Sequence, residues 1–339
     1  MASLRRMLLV AADERFAEHD PGRGHIERPA RYGAVLEGFR AADVDGAIRP
    51  LPTRPATRAE LERVHRGAYL DQLEAFCRRG GGPLDPDTVA TPASWEVALH
   101  AAGVGVAAVE ALEAGEADAA FCAVRPPGHH AESTHAMGFC LLNNIAVAAA
   151  AARARGGRVA IVDWDAHHGN GTQHTFYAEP DVLYISMHEW PLYPGTGRLD
   201  EVGEGAGTGT TVNLPFPSGA TGDVYLAAID TVIAPMFEAF RPDWLMVSAG
   251  FDAHRADPLT GLGLLAGDYT DLTARLAELA PPGRSILFLE GGYDLDALRD
   301  SVAATVSTLV GAPRRPEPSS SGGPGHHVVR AARTLHCLQ

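Results

Sequence analysis

The 339-residue chain is 46% hydrophobic and 21% charged, and its 28 Lys and Arg against 42 Asp and Glu give a formal net charge of −14 at pH 7. This acidic excess argues against binding to nucleic acid and mildly favours cationic substrates. The length suits one large α/β domain or two smaller ones. The 4 cysteines have neither zinc-knuckle spacing nor the density of a secreted disulfide scaffold, which predicts a cytoplasmic protein.

The beginning of the chain imitates a signal peptide, because two arginines precede the apolar run "MLLVAA" (7–12). That run stops at Asp13, after about half the length that a signal-peptide core needs. We therefore predict a buried first strand. No run approaches the ~18 apolar residues of a membrane span, and we expect no membrane contact.

Further apolar runs, rich in Val, Ile, Leu and Phe, predict strands that are buried on both faces. They are 119–124, 158–165, 182–188, 244–252 and 285–292. Ala/Leu-rich stretches between them predict helices, at 95–114, 143–155, 223–240 and 268–280. This alternation predicts a parallel sheet that is covered by helices.

The end of the chain differs in composition. Residues 1–312 are predicted to form the main domain, and residues 313–325, rich in Pro, Ser and Gly, predict a flexible linker. Residues 326–339 predict a short helical tail packed on or near the domain.

Polar residues that can bind metals or protons follow five of the predicted strands. They lie in the stretches 125–130, 165–168, 186–188, 251–254 and 291–293. Because parallel sheets bind ligands outside the carboxyl ends of their strands, we expect these residues to gather at one edge of the sheet.

The stretch "DWDAHHGNGT" (163–172) indicates a metal site. Asp163, Asp165 and His167 are two residues apart, so their side chains converge if the strand continues that far. Asp252, at the end of another strand, is a candidate third ligand. Two carboxylates and one imidazole leave a fourth position open, as in catalytic zinc sites, where a bound water becomes a nucleophile near neutral pH. Each residue alone is more often a helix cap or a packing residue.

Six motifs, in this order, resemble the zinc-dependent histone deacetylase family, and most of all its bacterial class II and acetylpolyamine amidohydrolase branches. They are "RPPGHH" (125–130), "GFCLLNN" (138–144), "DWDAHHGNGT" (163–172), "YPGTG" (193–197), "AGFDAH" (249–254) and "EGGY" (290–293). The resemblance covers about residues 8–335. It implies a single three-layer α/β/α domain with a mostly parallel central sheet, as in arginases and deacetylases.

The resemblance also implies roles for the residues around the metal. Zinc would be bound by Asp165, His167 and Asp252. His129 and His130 would be the pair that accepts the proton of metal-bound water and protonates the leaving amine, because imidazole titrates near working pH.

The partners of the two histidines differ. Asp163 would lie behind His129, and Asn170 would lie behind His130, which matches the class II pattern. Without a negative charge behind it, His130 should be less basic than His129. Tyr293 would donate its hydroxyl to the oxyanion, a contribution of ~3 kcal/mol.

Substrate contacts follow from the same resemblance. Gly138, Phe139 and Tyr193 match the walls of an acyl-lysine tunnel, and Asp87 matches a rim residue that holds substrate amides. Leu259 lies where polyamine-selective relatives have an acidic residue, although Asp257 is close. The resemblance further implies a structural potassium ion, bound partly through backbone carbonyls of Asp163, Asp165, His167, Ser186 and Met187.

Several alternatives stay open. A dinuclear ureohydrolase is disfavoured because Gly169 lies where its ligand pattern requires Asp. A non-catalytic acetyl-lysine binder would not need His129, His130 and Tyr293 together. We prefer a deacetylase of lysine side chains or other N-acetylated amines, with acetylpolyamine amidohydrolase as the alternative. Iron(II) suits the ligands as well as zinc, and a homo-oligomer is neither required nor excluded.

Overall fold

The computed structural model describes residues 6–44 and 46–338. Residues 1–5 and 339, at the ends of the predicted main domain and tail, lie outside the described residues. The strands are β1 Leu8–Ala11, β2 Ile48–Pro50, β3 Gly82–Pro83, β4 Val89–Ala90, β5 Ala119–Cys122, β6 Val159–Asp163, β7 Val182–Glu189, β8 Thr211–Phe216, β9 Trp244–Ala249 and β10 Ser285–Leu289. The α-helices are α1 Ala30–Ala41, α2 Arg58–Leu61, α3 Gly67–Arg78, α4 Ser94–Glu113, α5 Asn144–Arg153, α6 Asn170–Phe176, α7 Gly222–Ala228, α8 Ala234–Phe240, α9 Ala266–Leu279, α10 Leu295–Leu309 and α11 His326–Leu335.

One sheet of eight strands forms the centre of the described structure, in the order β2-β1-β5-β10-β9-β6-β7-β8. Every neighbouring pair in it is parallel. β3 and β4 form a separate antiparallel pair. The predicted parallel sheet is therefore confirmed.

Two hydrophobic clusters cover the two faces of this sheet. In β6, Ala160 and Val162 belong to one cluster, together with residues of α1 and α7–α11. Val159 and Ile161 belong to the other, together with residues of α2–α6. Because successive strand residues point to opposite faces, a strand between two helix layers must be apolar throughout, and the three-layer α/β/α fold follows.

The two edge strands were not predicted from the sequence. β2 is only three residues long, and β8 has the sequence TVNLPF, in which Asn and Pro interrupt the apolar pattern. An edge strand has one neighbour and less apolar cover than a central strand, so its sequence carries a weaker signal.

Helix α4 is long and apolar enough to cross a membrane by length and composition, which the sequence analysis did not recognise. In the structure 72% of its most apolar window is buried, and α4 packs against α3, α5, β5 and β10. It is the core helix of one layer.

Residues 313–325 contain no helix or strand, but side chains along the segment bind the domain. Glu317 accepts hydrogen bonds from His254 and from the Ala266 amide. Ser320 binds Asp268, and the Gly323 amide donates to Thr221 Oγ1 at 2.7 Å. These contacts hold the segment against the domain, whereas its composition predicted a flexible linker. Helix α11 then packs on β8 and α7.

The sheet order determines where the site forms. The strands β5, β10, β9, β6 and β7 are consecutive neighbours. Polar stretches follow the first four of them, and the stretch 186–188 lies in the last half of β7. Because all of them are parallel, the loops at their carboxyl ends adjoin at one edge.

Candidate active site

The loop after β6 turns the first two candidate ligands inward. β6 ends at Asp163, so the strand does not continue far enough for its alternation to align Asp163, Asp165 and His167. Instead, Asp163 Oδ1 accepts from the Asp165 amide at 3.1 Å, and Asp165 Oδ1 accepts from the His167 amide at 2.9 Å. Aspartate side chains commonly fold the backbone in this way two residues on, and here two such turns follow each other.

Asp165, His167 and Asp252 come together at the end of β6 and β9. All three are buried, and one donor atom from each lies within 4.8 Å of the others. His167 Nδ1 lies 3.2 Å from Asp165 Oδ1 and 3.0 Å from Asp252 Oδ2. The second oxygen of each carboxylate accepts from a backbone amide, Gly291 N for Asp165 and Ala166 N for Asp252, at 2.7 and 2.8 Å. These bonds fix which oxygens face the centre.

This arrangement fits a metal ion. Tetrahedral zinc with ligands at about 2.1 Å separates neighbouring donor atoms by roughly 3.4 Å, and the observed separations are 3.2 and 3.0 Å. Two glycines let the backbone approach: a Cβ at Gly250 would lie 2.0 Å from Asp165 Oδ2, and one at Gly291 would lie 2.0 Å from Asp252 Oδ2. Among residues 6–44 and 46–338, these three residues form the one group of at least three His, Cys, Asp or Glu side chains whose donor atoms lie close enough together to hold a metal ion.

The aspartate that would bind a second metal in a dinuclear ureohydrolase does not fit at position 169. A Cβ at Gly169 would lie 2.4 Å from Asp163 Oδ2 and 2.6 Å from the Tyr184 hydroxyl, which leaves no room for the aspartate that a dinuclear pattern requires. The crowding favours a mononuclear site.

The two adjacent histidines lie in the loop after β5. Each ring has one side-chain partner at Nδ1, and only one of the two partners is a carboxylate. Their ring centroids are 4.1 Å apart. His129 Nδ1 lies 3.0 Å from Asp163 Oδ2, and His130 Nδ1 lies 2.8 Å from Asn170 Oδ1. Burial alone would lower the pKa of His129, but the carboxylates of Asp163 and Asp165 raise it to about 10. Burial and the neighbouring His129 hold the pKa of His130 well below its usual value.

Glu290, whose role the sequence analysis did not recognise, holds the histidine loop in place. Its Oε2 accepts from the Gly128 amide at 2.7 Å and from the His129 amide at 3.1 Å. Burial raises the pKa of Glu290 to about 7. The residue belongs to the quoted motif "EGGY", so its position next to the two glycines was the available signal.

Tyr293 is held at the site by its backbone and by its ring. Gly292 has φ +118°, which only glycine adopts without strain, and it turns the chain after β10. The Arg31 guanidinium lies 4.8 Å from the ring centroid of Tyr293, and Arg31 Nε donates to the Gly292 carbonyl at 2.6 Å. Burial raises the pKa of Tyr293 well above its usual value, so the phenol keeps its proton.

Asp257 is not the rim acid that the sequence analysis considered. It is 5% exposed, and its two oxygens accept from the Tyr293 amide at 2.7 Å and from the Leu259 amide at 3.0 Å. Its carboxylate therefore connects the segments of Leu259 and Tyr293, which line the cavity described below, and is not itself among the lining residues.

A buried ion network that the sequence analysis missed lies below the tyrosine. Glu27 Oε1 accepts from Arg31 at 2.9 Å, and Glu27 Oε2 accepts from Arg125 at 2.7 Å. Burial would raise the pKa of Glu27, but the two guanidiniums lower it to about 2. Glu27 and Arg31 are four positions apart, but Arg125 lies 98 positions away from Glu27, so no local pattern encodes the network.

A cavity of about 310 Å³ opens onto the metal-ligand trio. Its walls include all five predicted substrate contacts, and also His130, but not His129. The lining residues are Asp87, His130, Gly138, Phe139, His167, Leu192, Tyr193, Leu259 and Tyr293. A larger groove of about 710 Å³, between α11 and the loop after β7, is lined by none of these residues.

Aromatic rings and one glycine define the shape of this cavity. The Phe139 ring lies edge-on to Tyr293 at 5.7 Å, and the Tyr193 ring lies edge-on to His130 at 5.3 Å. A Cβ at Gly138 would lie 2.4 Å from the His130 ring, so glycine is needed there. The result is a narrow apolar passage with polar groups at its inner end, suited to an unbranched chain that carries an acyl group.

Two of the predicted potassium residues, Asp165 and His167, also belong to the metal-ligand trio. Asp163 pairs with Ser186 in the β6–β7 register, and Met187 follows in β7. Asp165 and His167 lie in the loop after Asp163. The Ser186 hydroxyl itself bonds His188 Nδ1 at 2.9 Å.

Comparison with known proteins gives a consistent picture. A family model described as the histone deacetylase domain matches residues 25–309. The chain is 42% identical to "Histone deacetylase 10, chloroplastic" of Oryza sativa subsp. japonica, over 85% of this chain and 70% of that protein. It is 43% identical to "Histone deacetylase-like amidohydrolase" of Pseudomonas aeruginosa, over 80% of this chain and 73% of that protein. The crystal structure of the HDA15 HD domain superposes with a TM-score of 0.90 at 38% identity, over 98% of this chain and 94% of that one.

Proposed function

This chain belongs to the histone deacetylase family, and from that membership we propose that it is a zinc-dependent deacetylase that hydrolyses the amide of N-acetylated amines. The observation that carries the proposal is the cavity, whose lining includes the buried side chains of His167, His130 and Tyr293. A metal ligand, a proton acceptor and a hydroxyl donor around one point are the groups that amide hydrolysis by water requires.

The metal chemistry rests on three residues. Zinc bound by Asp165, His167 and Asp252 would polarise the acetyl carbonyl and activate a water molecule. Iron(II) suits the same ligands, and metal analysis of the purified protein distinguishes the two.

The proton transfers are assigned to His130 in this proposal. It lines the cavity, Nδ1 is occupied by Asn170, and its lowered pKa keeps it neutral and able to accept a proton at Nε2. His130 then returns this proton to the departing amine. His129, with its pKa raised to about 10, stays protonated and stabilises negative charge nearby. This assignment differs from the one that the family resemblance implies, in which one histidine accepts the proton and the other protonates the amine.

Tyr293 completes the set. Its raised pKa keeps the hydroxyl protonated, so it can donate a hydrogen bond to the carbonyl oxygen as negative charge develops there. Asp257 and Arg31 position the tyrosine by holding its amide and its ring.

The proposed substrate is an acetyl-lysine side chain or a similar N-acetylated amine. Leu259 and Leu192 contribute apolar wall, and Asp87 is the carboxylate on the lining, placed to hold substrate amides. Acetylpolyamine amidohydrolase is the alternative, because Asp87 could instead pair with a distal ammonium. A cytoplasmic location belongs to the same proposal and agrees with four free cysteines.

The first experiment compares deacetylation of an acetyl-lysine peptide and an acetylated polyamine by the zinc-loaded protein. We expect faster turnover of the peptide. Preference for the polyamine would favour the alternative, and a zinc-loaded protein inactive on both would contradict the proposed function.

Tyr293→Phe is expected to lower kcat by roughly 10²- to 10³-fold, since it removes one oxyanion donor. Tyr177→Phe, at the end of α6 and outside the cavity lining, is the matched control and should keep full activity. Unchanged kcat in Tyr293→Phe would remove the tyrosine from the mechanism.

We also propose the potassium ion at Asp163, Asp165, His167, Ser186 and Met187. If it binds there, thermal unfolding should occur at a higher temperature in potassium chloride than in tetramethylammonium chloride of equal concentration, because a ligand that binds only the folded state stabilises it. Identical melting temperatures in the two salts would argue against the site.

A further inference from the structure

Glu132 lies two residues after His130, and the proposed mechanism does not use it. Its Oε1 accepts from Asn170 Nδ2 at 2.6 Å and lies 2.7 Å from His174 Nδ1. Asn170 is 2% exposed, whereas half of the His174 side chain is exposed. A chain of hydrogen bonds thus runs from the surface through Glu132 and Asn170 to His130.

The direction of each bond in this chain follows from the chemistry of its groups. A carboxylate can only accept hydrogen bonds, so the Asn170 amide must turn its NH₂ group towards Glu132. The carbonyl Oδ1 of Asn170 then faces His130. Because that oxygen also only accepts, Nδ1 of His130 must carry the hydrogen, and the neutral ring keeps Nε2 free of one.

An asparagine alone does not define this direction, since its two ends have nearly the same shape. The other acceptors near Asn170 Nδ2 are the His130 carbonyl and Met137 Sδ, both at 3.3 Å. They are longer contacts than the 2.6 Å bond to Glu132, and they support the same orientation more weakly.

We propose that Glu132 is a positioning residue that orients the Asn170 amide and thereby sets the tautomer of His130, with Nε2 unprotonated towards the cavity. The inference rests on the proposed function only for its effect on turnover; the tautomer itself is a property of the protein. In this role Glu132 supplies the directionality that an aspartate at position 170 would have by itself.

The tautomer is measured directly in zinc-loaded protein labelled with ¹⁵N-histidine, by long-range ¹H–¹⁵N correlation. We expect the Nδ1–H form of His130 in the wild type and a mixture of tautomers in Glu132→Ala. A single Nδ1–H form in both would overturn the inference, whatever the deacetylase activity.

Turnover provides the second readout. Glu132→Gln and Glu132→Ala should lower kcat by roughly 10- to 100-fold, the effect of losing one charge-assisted hydrogen bond, with Glu132→Ala the more affected. Glu179→Gln, a surface glutamate that pairs with Arg153, is the matched control and should leave kcat unchanged.

A further test introduces Glu132→Gln into protein that already carries Asn170→Asp. In that protein the expected effect of Glu132→Gln on kcat is reversed. Two carboxylates would then face each other where the 2.6 Å bond lies, so adding Glu132→Gln should raise kcat instead of lowering it. If Glu132→Gln lowers kcat equally in both backgrounds, the inference is wrong while the proposed function stands. A wild type that is inactive would instead contradict the proposed function, and the tautomer measurement would still decide the role of Glu132.

Discussion

At the scale of single residues, the charge behind each imidazole separates two histidines whose rings are in contact. Asp163 carries a carboxylate and raises the pKa of His129, whereas Asn170 offers only a neutral carbonyl oxygen to His130. The carboxylates near His129 thus raise the pKa of that ring, whereas burial and His129 itself hold the pKa of His130 below its usual value.

Asn170→Asp should move the acidic limb of the kcat/KM profile to higher pH. His130 must be neutral to accept a proton, and burial and His129 place its pKa below the usual value. A carboxylate next to Nδ1 stabilises the protonated ring and raises the pKa of His130. As the pH falls, the variant should therefore lose activity at a higher pH than the wild type does. The profile is measured between about pH 4 and 9. A shift of both limbs by the same amount, or of neither, would contradict the assignment.

At the scale of secondary-structure elements, glycines at the carboxyl ends of strands allow the loops to meet at the ligands. Gly250 follows β9 directly, and Gly291 lies two residues after the end of β10; a Cβ added at either glycine would overlap a carboxylate of the metal-ligand trio. Since the backbone amide of Gly291 also donates to Asp165, the loop after β10 both makes room for the ligands and orients them.

Gly291→Ala should therefore weaken zinc binding by roughly 10- to 100-fold, the usual effect of disturbing groups that orient metal ligands. The new Cβ would lie 2.0 Å from Asp252 Oδ2 and 2.7 Å from Asp165 Oδ2, so both carboxylates must move. Zinc affinity is measured by competition with a chromophoric chelator. Gly33→Ala in α1, where a Cβ meets nothing within 4 Å, is the matched control. Equal zinc affinity in the two variants would show that the loop after β10 accommodates the new Cβ without weakening zinc binding.

The segment 313–325 also acts at this scale. Through Glu317 it binds His254, two residues after the ligand Asp252, and through Ser320 it binds the start of α9. The C-terminal part of the chain thereby supports the loop after β9 from outside the site.

At the scale of the whole molecule, a buried ion network joins three distant parts of the chain. Glu27 binds Arg31 in α1 and Arg125 after β5, and Arg31 also donates to the carbonyls of Glu290 and Gly292 after β10. All three charged side chains are fully buried, so removing one charge leaves its partners unpaired in a medium where that is costly.

Glu27→Gln should lower the free energy of unfolding at pH 7 by about 3–5 kcal/mol. The pKa of Glu27 is about 2 in the folded protein, against an ordinary value of 4.5. A lowered pKa means that its contribution is present above about pH 4.5 and is lost as the pH falls towards 2. The variant should thus differ most from the wild type near neutral pH and least near pH 2.

Urea unfolding at several pH values measures this difference. Glu116→Gln, whose side chain is half exposed and pairs with Arg49, is the control and should change stability by less than ~1 kcal/mol. A gap between Glu27→Gln and wild type that does not narrow in acid would show that Glu27 stabilises the fold other than by its charge.

The amino-acid sequence by itself predicted the parallel sheet and named the three residues of the candidate metal site. The central strands could be located because a strand covered on both faces is apolar at every position, and this is a local property of stretches such as 159–163 and 244–249. Asp165, His167 and Asp252 could be named as candidate ligands because they lie within four residues of the ends of such strands, and because the order of the motifs resembles that of a known family.

Only the tertiary structure decided what surrounds these residues. Glu27 meets Arg125 across 98 positions and Glu290 meets Gly128 across 162, and no local pattern encodes pairs at such separations. The same holds for Asp257, which accepts from the Tyr293 amide, and for Glu132, which accepts from Asn170. Residues 313–325 likewise bind the domain through Glu317 and Ser320. In each case the hydrogen-bond partner comes from another segment of the chain. The sequence gives the chemical type of each side chain. The direction in which a buried polar side chain points depends on which hydrogen-bond donors and acceptors the fold places next to it.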